Sequence, residues 1–245
     1  MLEEIMSNKD KHVFLIRFFE KQYVENFLDN GEIHFNPLQY FIDLENNQGD
    51  TIIGDALEGK VEGNISPESG WAFMFRIAGD KKPATVIPTT TASIHINIPD
   101  ELKQTICISC FSWIDTDDIV EDEKTKSFKL TKSAIKRLRN FNTDKRIPII
   151  IDPNILFKRL ESENVGWKDV EYYDSNDIDD VMGLAEQENN IAKIIFRKRV
   201  KYSDQKEFRI VIKSQDTDSD NNIYIGNLRG VCNVVDNFDD LKIIK

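Results

Sequence analysis

The chain has 245 residues, 40% of them hydrophobic, with 15 Phe and 3 Trp. A chain of this length buries roughly 70–75% of the surface its unfolded form exposes, so neither disulfides nor a metal is needed for stability and disorder is excluded. The formal net charge of −11 repels phosphate backbones and disfavours general nucleic-acid binding.

The first strong signal is residues 12–19, HVFLIRFF, a β-branched and aromatic run carrying one charge, Arg17. It predicts a strand. Residues 20–29 follow with Tyr23, Val24, Phe27 and Leu28 on one helical stripe, and Asn30-Gly31 stops that helix. Residues 32–36, EIHFN, predict a second strand.

A polar stretch over 37–55 predicts a loop with a short helix near 38–44. Strands are expected near 57–63, 71–77 and 92–98, with an exposed loop over 78–91. The run 105–113, TICISCFSW, predicts a buried strand, and the acidic segment 114–128 a loop. An amphipathic helix is expected over 131–140, capped by Thr131 or Ser133. A buried strand follows at 147–151, and Asp152-Pro153 opens a helix to about Leu160. Further strands are expected over 166–173, 206–213, from 223, and near 240–244, with a short helix near 179–189. Strands and helices do not alternate regularly. The expected class is therefore α+β: mixed, mainly antiparallel twisted sheets with peripheral helices, one main core and one domain over 1–245.

Cys107, Cys110 and Cys232 are odd in number and two lie in an apolar run, which fits reduced, buried thiols. On a strand Cys107 and Cys110 point to opposite faces, and no His completes a ligand set, so no metal is expected. His12, His34 and His95 each sit among apolar neighbours and read as structural. The start of the sequence lacks the basic and apolar regions of a signal peptide, and no run reaches the ~20 apolar residues of a membrane span. A cytoplasmic location without membrane contact is expected.

The densest polar cluster runs from Tyr202 to Arg209. On an extended chain Gln205, Glu207 and Arg209 share one face, opposite Phe208, Ile210 and Ile212. A solvent-facing edge strand carries the same alternation. The basic run from Lys193 to Lys206, including Arg197 and Arg199, suits either a solvated face or contact with an acidic partner.

An early strand with Arg17, a central strand with Ser109-Cys110-Phe111-Ser112 and a late Gln205-Lys206-Glu207 resemble the Arg–Ser–Glu class of ADP-ribosyltransferases, in the Gln-x-Glu variant of Rho-modifying bacterial exoenzymes. The resemblance implies NAD as substrate, with Arg17 on its phosphate, Ser109 or Ser112 supporting the ribose, Glu207 as the catalytic carboxylate and Gln205 positioning the acceptor. The family pattern is Ser-Thr-Ser, where this chain has Ser109-Cys110-Phe111-Ser112. A second resemblance, to a large family of bacterial and phage domains ending in Y-x-x-Q/E-x-E-F/W-R, rests on Asn30-Gly31, Phe35-Asn36, Cys110-Phe111-Ser112 and Tyr202 to Arg209. It implies one pocket containing Phe35, Asn36, Glu58, Gly59, Glu207 and Arg209, and a setting of phage–host conflict or antiviral defence; together the resemblances imply Arg17, Phe35, Asn36, Tyr202 and Arg209 as cofactor-binding residues. The implied partner is a macromolecular target, protein rather than nucleic acid. Two other readings compete: a non-catalytic acidic protein that occupies a basic site on a host or defence protein, and a nucleotide- or RNA-processing enzyme using residues 193–209.

Overall fold

The computed structural model describes residues 12–75, 85–88, 91–123, 127–141, 146–185, 190–214 and 220–242. Its strands are β1 (His12–Glu20), β2 (Glu32–His34), β3 (Asn36–Pro37), β4 (Lys60–Ile65), β5 (Ala72–Phe75), β6 (Thr85–Pro88), β7 (Ala92–Asn97), β8 (Ile106–Asp115), β9 (Ile119–Asp122), β10 (Ser127–Leu130), β11 (Arg146–Ile151), β12 (Gly166–Asp169), β13 (Glu171–Tyr173), β14 (Arg197–Arg199), β15 (Glu207–Lys213), β16 (Asn222–Tyr224) and β17 (Cys232–Val234). The α-helices are α1 (Lys21–Asn30), α2 (Leu38–Gln48), α3 (Asp100–Thr105), α4 (Lys132–Arg139), α5 (Pro153–Leu160), α6 (Ile178–Ala185) and α7 (Asn190–Ile194).

The fold is α+β. Its centre is a sheet in the order β12-β15-β8-β1-β11-β17, with β3 also paired to β8. Every pairing in this sheet is antiparallel. The parallel β13–β14 pair lies outside it. Apolar side chains pack on both faces, as strand alternation requires. Leu15, Phe19, Cys107, Phe111, Trp113, Phe208 and Ile210 face α1 and α5, joined there by Phe27, Leu156 and Leu160. On the other face Ile106 and Ile108 pack with Val61, Ile98, Val181 and Ile194, while Ile16, Ile114 and Ile150 pack with Leu138 and Phe238. Cys107 and Cys110 point to opposite faces, as the strand period predicts.

Local signals explain the first unit. Helix α1 buries Val24, Phe27 and Leu28, and Gly31 ends it at φ +64, the left-handed conformation that glycine adopts without strain. A Cβ at Gly31 would also lie 2.4 Å from the Gly226 carbonyl oxygen, so the turn and the β2–β16 pairing both need glycine. Thr131 caps α4 by accepting from the Ala134 N–H, and Asp152 caps α5 by accepting from the Asn154 N–H.

The structure departs from the sequence reading in several places: the loop expected over 78–91 contains strand β6, and the strand expected over 166–173 is two, β12 and β13, in different sheets. The helix near 38–44 extends to Gln48, where Gly49 stops it. The acidic segment 114–128 holds β9 and the start of β10, which pair antiparallel. The last described strand is β17, and Phe238–Asp240 is a 3-10 turn capped by Asn237; residues 243–244 of the strand expected near 240–244 lie outside the described set, as do 76–77 of the strand expected over 71–77, 78–84 and 89–90 of the expected loop, and 186–189 of the helix expected near 179–189. Finally, β15 is no edge strand, because β8 and β12 flank it.

Candidate functional site

Strand β8 is covered along one side by two different partners. Ile16 of β1 pairs with Ser112, and Asn36 of β3 pairs with Ile108. Between these two registers β1 leaves β8 while staying paired with β11 through Glu20. A gap therefore opens beside Ser109, Cys110 and Phe111. A cleft of about 530 Å³ occupies it, lined by Arg17, Ser109, Ser112, Gln205 and Glu207 together with Asn36, Glu58 and Lys198. That volume lies within the ~300–1,000 Å³ typical of small-molecule sites. Aromatic and aliphatic side chains, including Tyr23, Tyr40, Phe141 and Ile52, complete its walls.

Arg17 projects from the point where β1 diverges. Its Nη2 donates to the His34 carbonyl at 3.1 Å, and its guanidinium lies 4.9 Å from the Phe19 ring centre and 5.2 Å from that of Phe111. Its Nη1 is buried and has no hydrogen-bond partner. Among the described residues no carboxylate pairs with it. Burial pushes its pKa down to about 10, which leaves it cationic at neutral pH.

The two serines divide cleanly. Ser112 Oγ donates to the Gln205 carbonyl at 2.6 Å and accepts from Arg137 Nη1 at 3.0 Å, so it fastens β8 to the chain before β15. Ser109 Oγ is buried with no partner. Ser109 is thus the serine whose hydroxyl has no partner within the chain, though it is itself buried.

Glu207 sits opposite Ser112 in the β8–β15 register. Its Oε1 accepts from Arg209 Nε, and its Oε2 accepts from Lys198 Nζ at 3.0 Å. Burial alone would raise the Glu207 pKa, but the charges of Arg209 and Lys198 prevail and hold it well below the usual carboxylate range. The Cys110 thiol, by contrast, is kept neutral by burial and by the nearby Glu207 charge. Arg209 is wholly buried and bound bidentately by Glu58, at 2.7 and 2.8 Å.

The approach to Glu207 is set by an unusual backbone. Lys206 has φ +43, the single non-glycine residue with positive φ among those described. Such a conformation costs about 1–2 kcal/mol for a residue with a Cβ. Lys206 Nζ is held by Asp115 at 2.8 Å and Asp118 at 2.7 Å, and its carbonyl accepts from the Trp113 N–H. Gln205 is fixed by its amide: Lys198 Nζ donates to its Oε1 at 2.8 Å, and its Nε2 donates to the Ile52 carbonyl at 2.9 Å.

Of the residues expected at the site, Arg17, Asn36, Ser109, Ser112, Gln205 and Glu207 line the cleft. Phe35, Tyr202 and Arg209 do not. Phe35 is sealed in the core. Tyr202 is buried beneath Lys198, with its hydroxyl bonded to Glu45. Arg209 lies behind Glu207 as its counter-ion. Glu58 joins the cleft wall, while Gly59 packs against Leu38 and Ile98.

Lys198 is the cleft residue that sequence reasoning placed elsewhere, within a basic run. Most of that run is paired internally: Arg197 with Asp180 and Glu171, Arg199 with Asp55, and Lys206 with Asp115 and Asp118; Lys193 and Lys201 are exposed. The one sequence signal that separates Lys198 is its place between Arg197 and Arg199, which on a strand turns it to the opposite face.

His12 lies outside the cleft. It is stacked on Trp113 at 4.1 Å between ring centres and bridges Asp115 and Asp169 at 2.6 and 3.2 Å. Burial lowers its pKa, but hydrogen bonds to the two carboxylates overcome this and raise it to about 9. Among the described residues there is no cluster of three or more His, Cys, Asp or Glu able to hold a metal, and no helix is long and apolar enough to cross a membrane. Compared with family models, curated proteins and solved structures, the chain matches none of them.

Proposed function

We propose that the cleft binds NAD and that the protein breaks its nicotinamide–ribose bond, passing the ADP-ribosyl group to an acceptor. The observation that carries this reading is a convergence. Arg17, Ser109 and Glu207 come from three strands and line one cleft, Arg17 and Ser109 from one face of the sheet and Glu207 from the other, and Arg17 Nη1 and Ser109 Oγ are buried without partners. Such groups cost free energy unless a ligand satisfies them. An arginine with a free nitrogen and no carboxylate partner suits a diphosphate. The unpaired hydroxyl suits a ribose.

Cleavage of the nicotinamide–ribose bond builds positive charge on the sugar. A fixed, ionised carboxylate stabilises that charge more in the transition state than in the ground state. Arg209 and Lys198 keep Glu207 ionised across the physiological range. They also neutralise part of its charge, which lowers its repulsion of a bound phosphate.

One observation favours a second reading, a binding pocket without turnover in a non-catalytic protein. Both carboxylate oxygens of Glu207 are already engaged within the chain. Wild type and Glu207→Gln, each checked for folding by circular dichroism, separate the two. The enzyme reading expects NAD to raise the melting midpoint and free nicotinamide to accumulate with wild type alone. Binding without nicotinamide release leaves the second reading standing. Absence of both removes NAD as the ligand.

A further inference from the structure

We infer that the acceptor in this reaction is water, so that the protein acts as an NAD glycohydrolase releasing free ADP-ribose and not as a transferase to a macromolecule. This rests on the NAD reading of the cleft. The observation is the way the chain closes the ground beside Glu207.

A continuous chain of hydrogen bonds runs from Glu207 to the segment 49–59. Glu207 Oε2 accepts from Lys198 Nζ at 3.0 Å, Lys198 Nζ donates to Gln205 Oε1 at 2.8 Å, and Gln205 Nε2 donates to the Ile52 carbonyl at 2.9 Å. The resemblance would have Gln205 receive an acceptor side chain, yet in the structure both ends of its amide are held by this chain. Turning it toward an incoming group breaks two hydrogen bonds, one of them to a buried ammonium.

The segment that Gln205 holds is itself pinned. The Ile52 and Ile53 N–H groups donate to Asp50 Oδ1, the Asp55 N–H to the Phe41 carbonyl, and the Ala56 N–H to Glu45. Asp55 is tied to Arg199 at 2.9 Å. Gly54 lies so close to α2 that a Cβ there would meet the Asp50 carbonyl oxygen at 2.4 Å and the Glu45 nitrogen at 2.6 Å. Ile52 and Ile53 therefore form a fixed wall of the cleft. Glu207, at 5% exposure, lies at its floor. With the Gln205 amide committed and this wall fixed, water is the acceptor that requires no rearrangement of the chain.

The step balances without another reactant. The water oxygen bonds to ribose C1, the C1–N bond breaks with its electron pair passing to the nicotinamide ring, and one proton leaves to solvent. NAD and water give nicotinamide, ADP-ribose and a proton. Glu207, held ionised, serves as charge stabiliser; attack on a cation-like carbon needs little help from a base.

The test uses the wild-type chain and NAD carrying labelled phosphate, alone and with agmatine or a cell extract as source of guanidine and protein acceptors. The expected result is free ADP-ribose equimolar with nicotinamide in every mixture. Label on agmatine or protein in excess of free ADP-ribose, with nicotinamide still released, overturns the water assignment and leaves the NAD reading intact. No nicotinamide release overturns both.

Discussion

Two arginines near β8 meet opposite fates. Arg209 is wholly buried, yet each of its nitrogens is bound: Glu58 takes the two Nη atoms, Glu207 takes Nε, and the Ile195 carbonyl accepts from Nη1. Arg17 lies at the gap in the sheet with one carbonyl, two aromatic rings and an Nη1 bonded to nothing. The first arrangement is self-sufficient and holds strands β8 and β15 to the 49–59 segment. The second is incomplete by itself. The difference separates a charge that serves the fold from one that serves a ligand, and substitution at each tests it.

The largest effect is expected on the Arg209 side. Glu58→Ala leaves a buried guanidinium short of its bidentate partner. Removing one member of a buried pair costs about 3–5 kcal/mol, to be read as a lowered urea midpoint with unchanged slope. On the Arg17 side, Arg17→Met removes a charge that has no carboxylate partner, together with the guanidinium's contacts with the Phe19 and Phe111 rings, and keeps an apolar stem of similar length. Stability should change by less than about 1 kcal/mol, while the rise in melting midpoint with NAD disappears. A loss of stability at Arg17→Met as large as that at Glu58→Ala would erase the distinction between the two arginines.

A smaller effect is expected from His12, whose charge also serves the fold. Its pKa is raised from the ordinary 6.5 to about 9 by Asp115 and Asp169. Its contribution is therefore complete below about pH 6.5 and is lost as pH rises through about 9. Lys206 also pairs with Asp115, and Trp113 donates to Asp169 at 2.6 Å, so part of the cluster persists when His12 is neutral. Between pH 6 and pH 9.5 the wild-type midpoint should fall further than that of His12→Asn. Parallel profiles would show that His12 carries no linked charge.

The same contrast marks how far the sequence could be read. The strand–helix–Asn-Gly–strand opening was legible because each signal is local: an apolar run, one helical stripe, a glycine at the stop. The helix caps at Thr131 and Asp152 were legible for the same reason. The convergence of Arg17, Ser109 and Glu207 was reached only by resemblance, because nothing local records that β1 leaves β8 after Ile16. The interior position of β15 was not legible. A Glu-x-Arg alternation looks solvated until Glu58, 151 positions from Arg209, supplies the counter-ion. Lys198 was hidden in the same way by Gln205 and Glu207, and the β9–β10 pair by Asp115 and Asp118, whose charges are met by Lys206 and, for Asp118, also by Arg137. Short β17, three residues long, carries too little alternation to identify.

The finest version of the comparison lies within β8 itself, where two serines three residues apart point to opposite faces and differ in partners. Ser112→Ala strands the Gln205 carbonyl and one Arg137 N–H, and a lost buried hydrogen bond of this kind costs about 1–2 kcal/mol. Ser109→Ala removes a hydroxyl that was already unpaired in the free protein. Its deletion relieves a buried unsatisfied group, so the unliganded midpoint should hold steady or rise slightly, by less than about 1 kcal/mol. The ligand reverses the order. If NAD fills the cleft, Ser109→Ala weakens its binding about 5- to 10-fold, the value of one hydrogen bond of about 1 kcal/mol. Ser112→Ala should leave affinity closer to wild type despite its greater cost to the fold. A titration in which Ser112→Ala loses the more affinity would assign the ribose contact to the wrong serine, and with it the direction in which the cleft is entered.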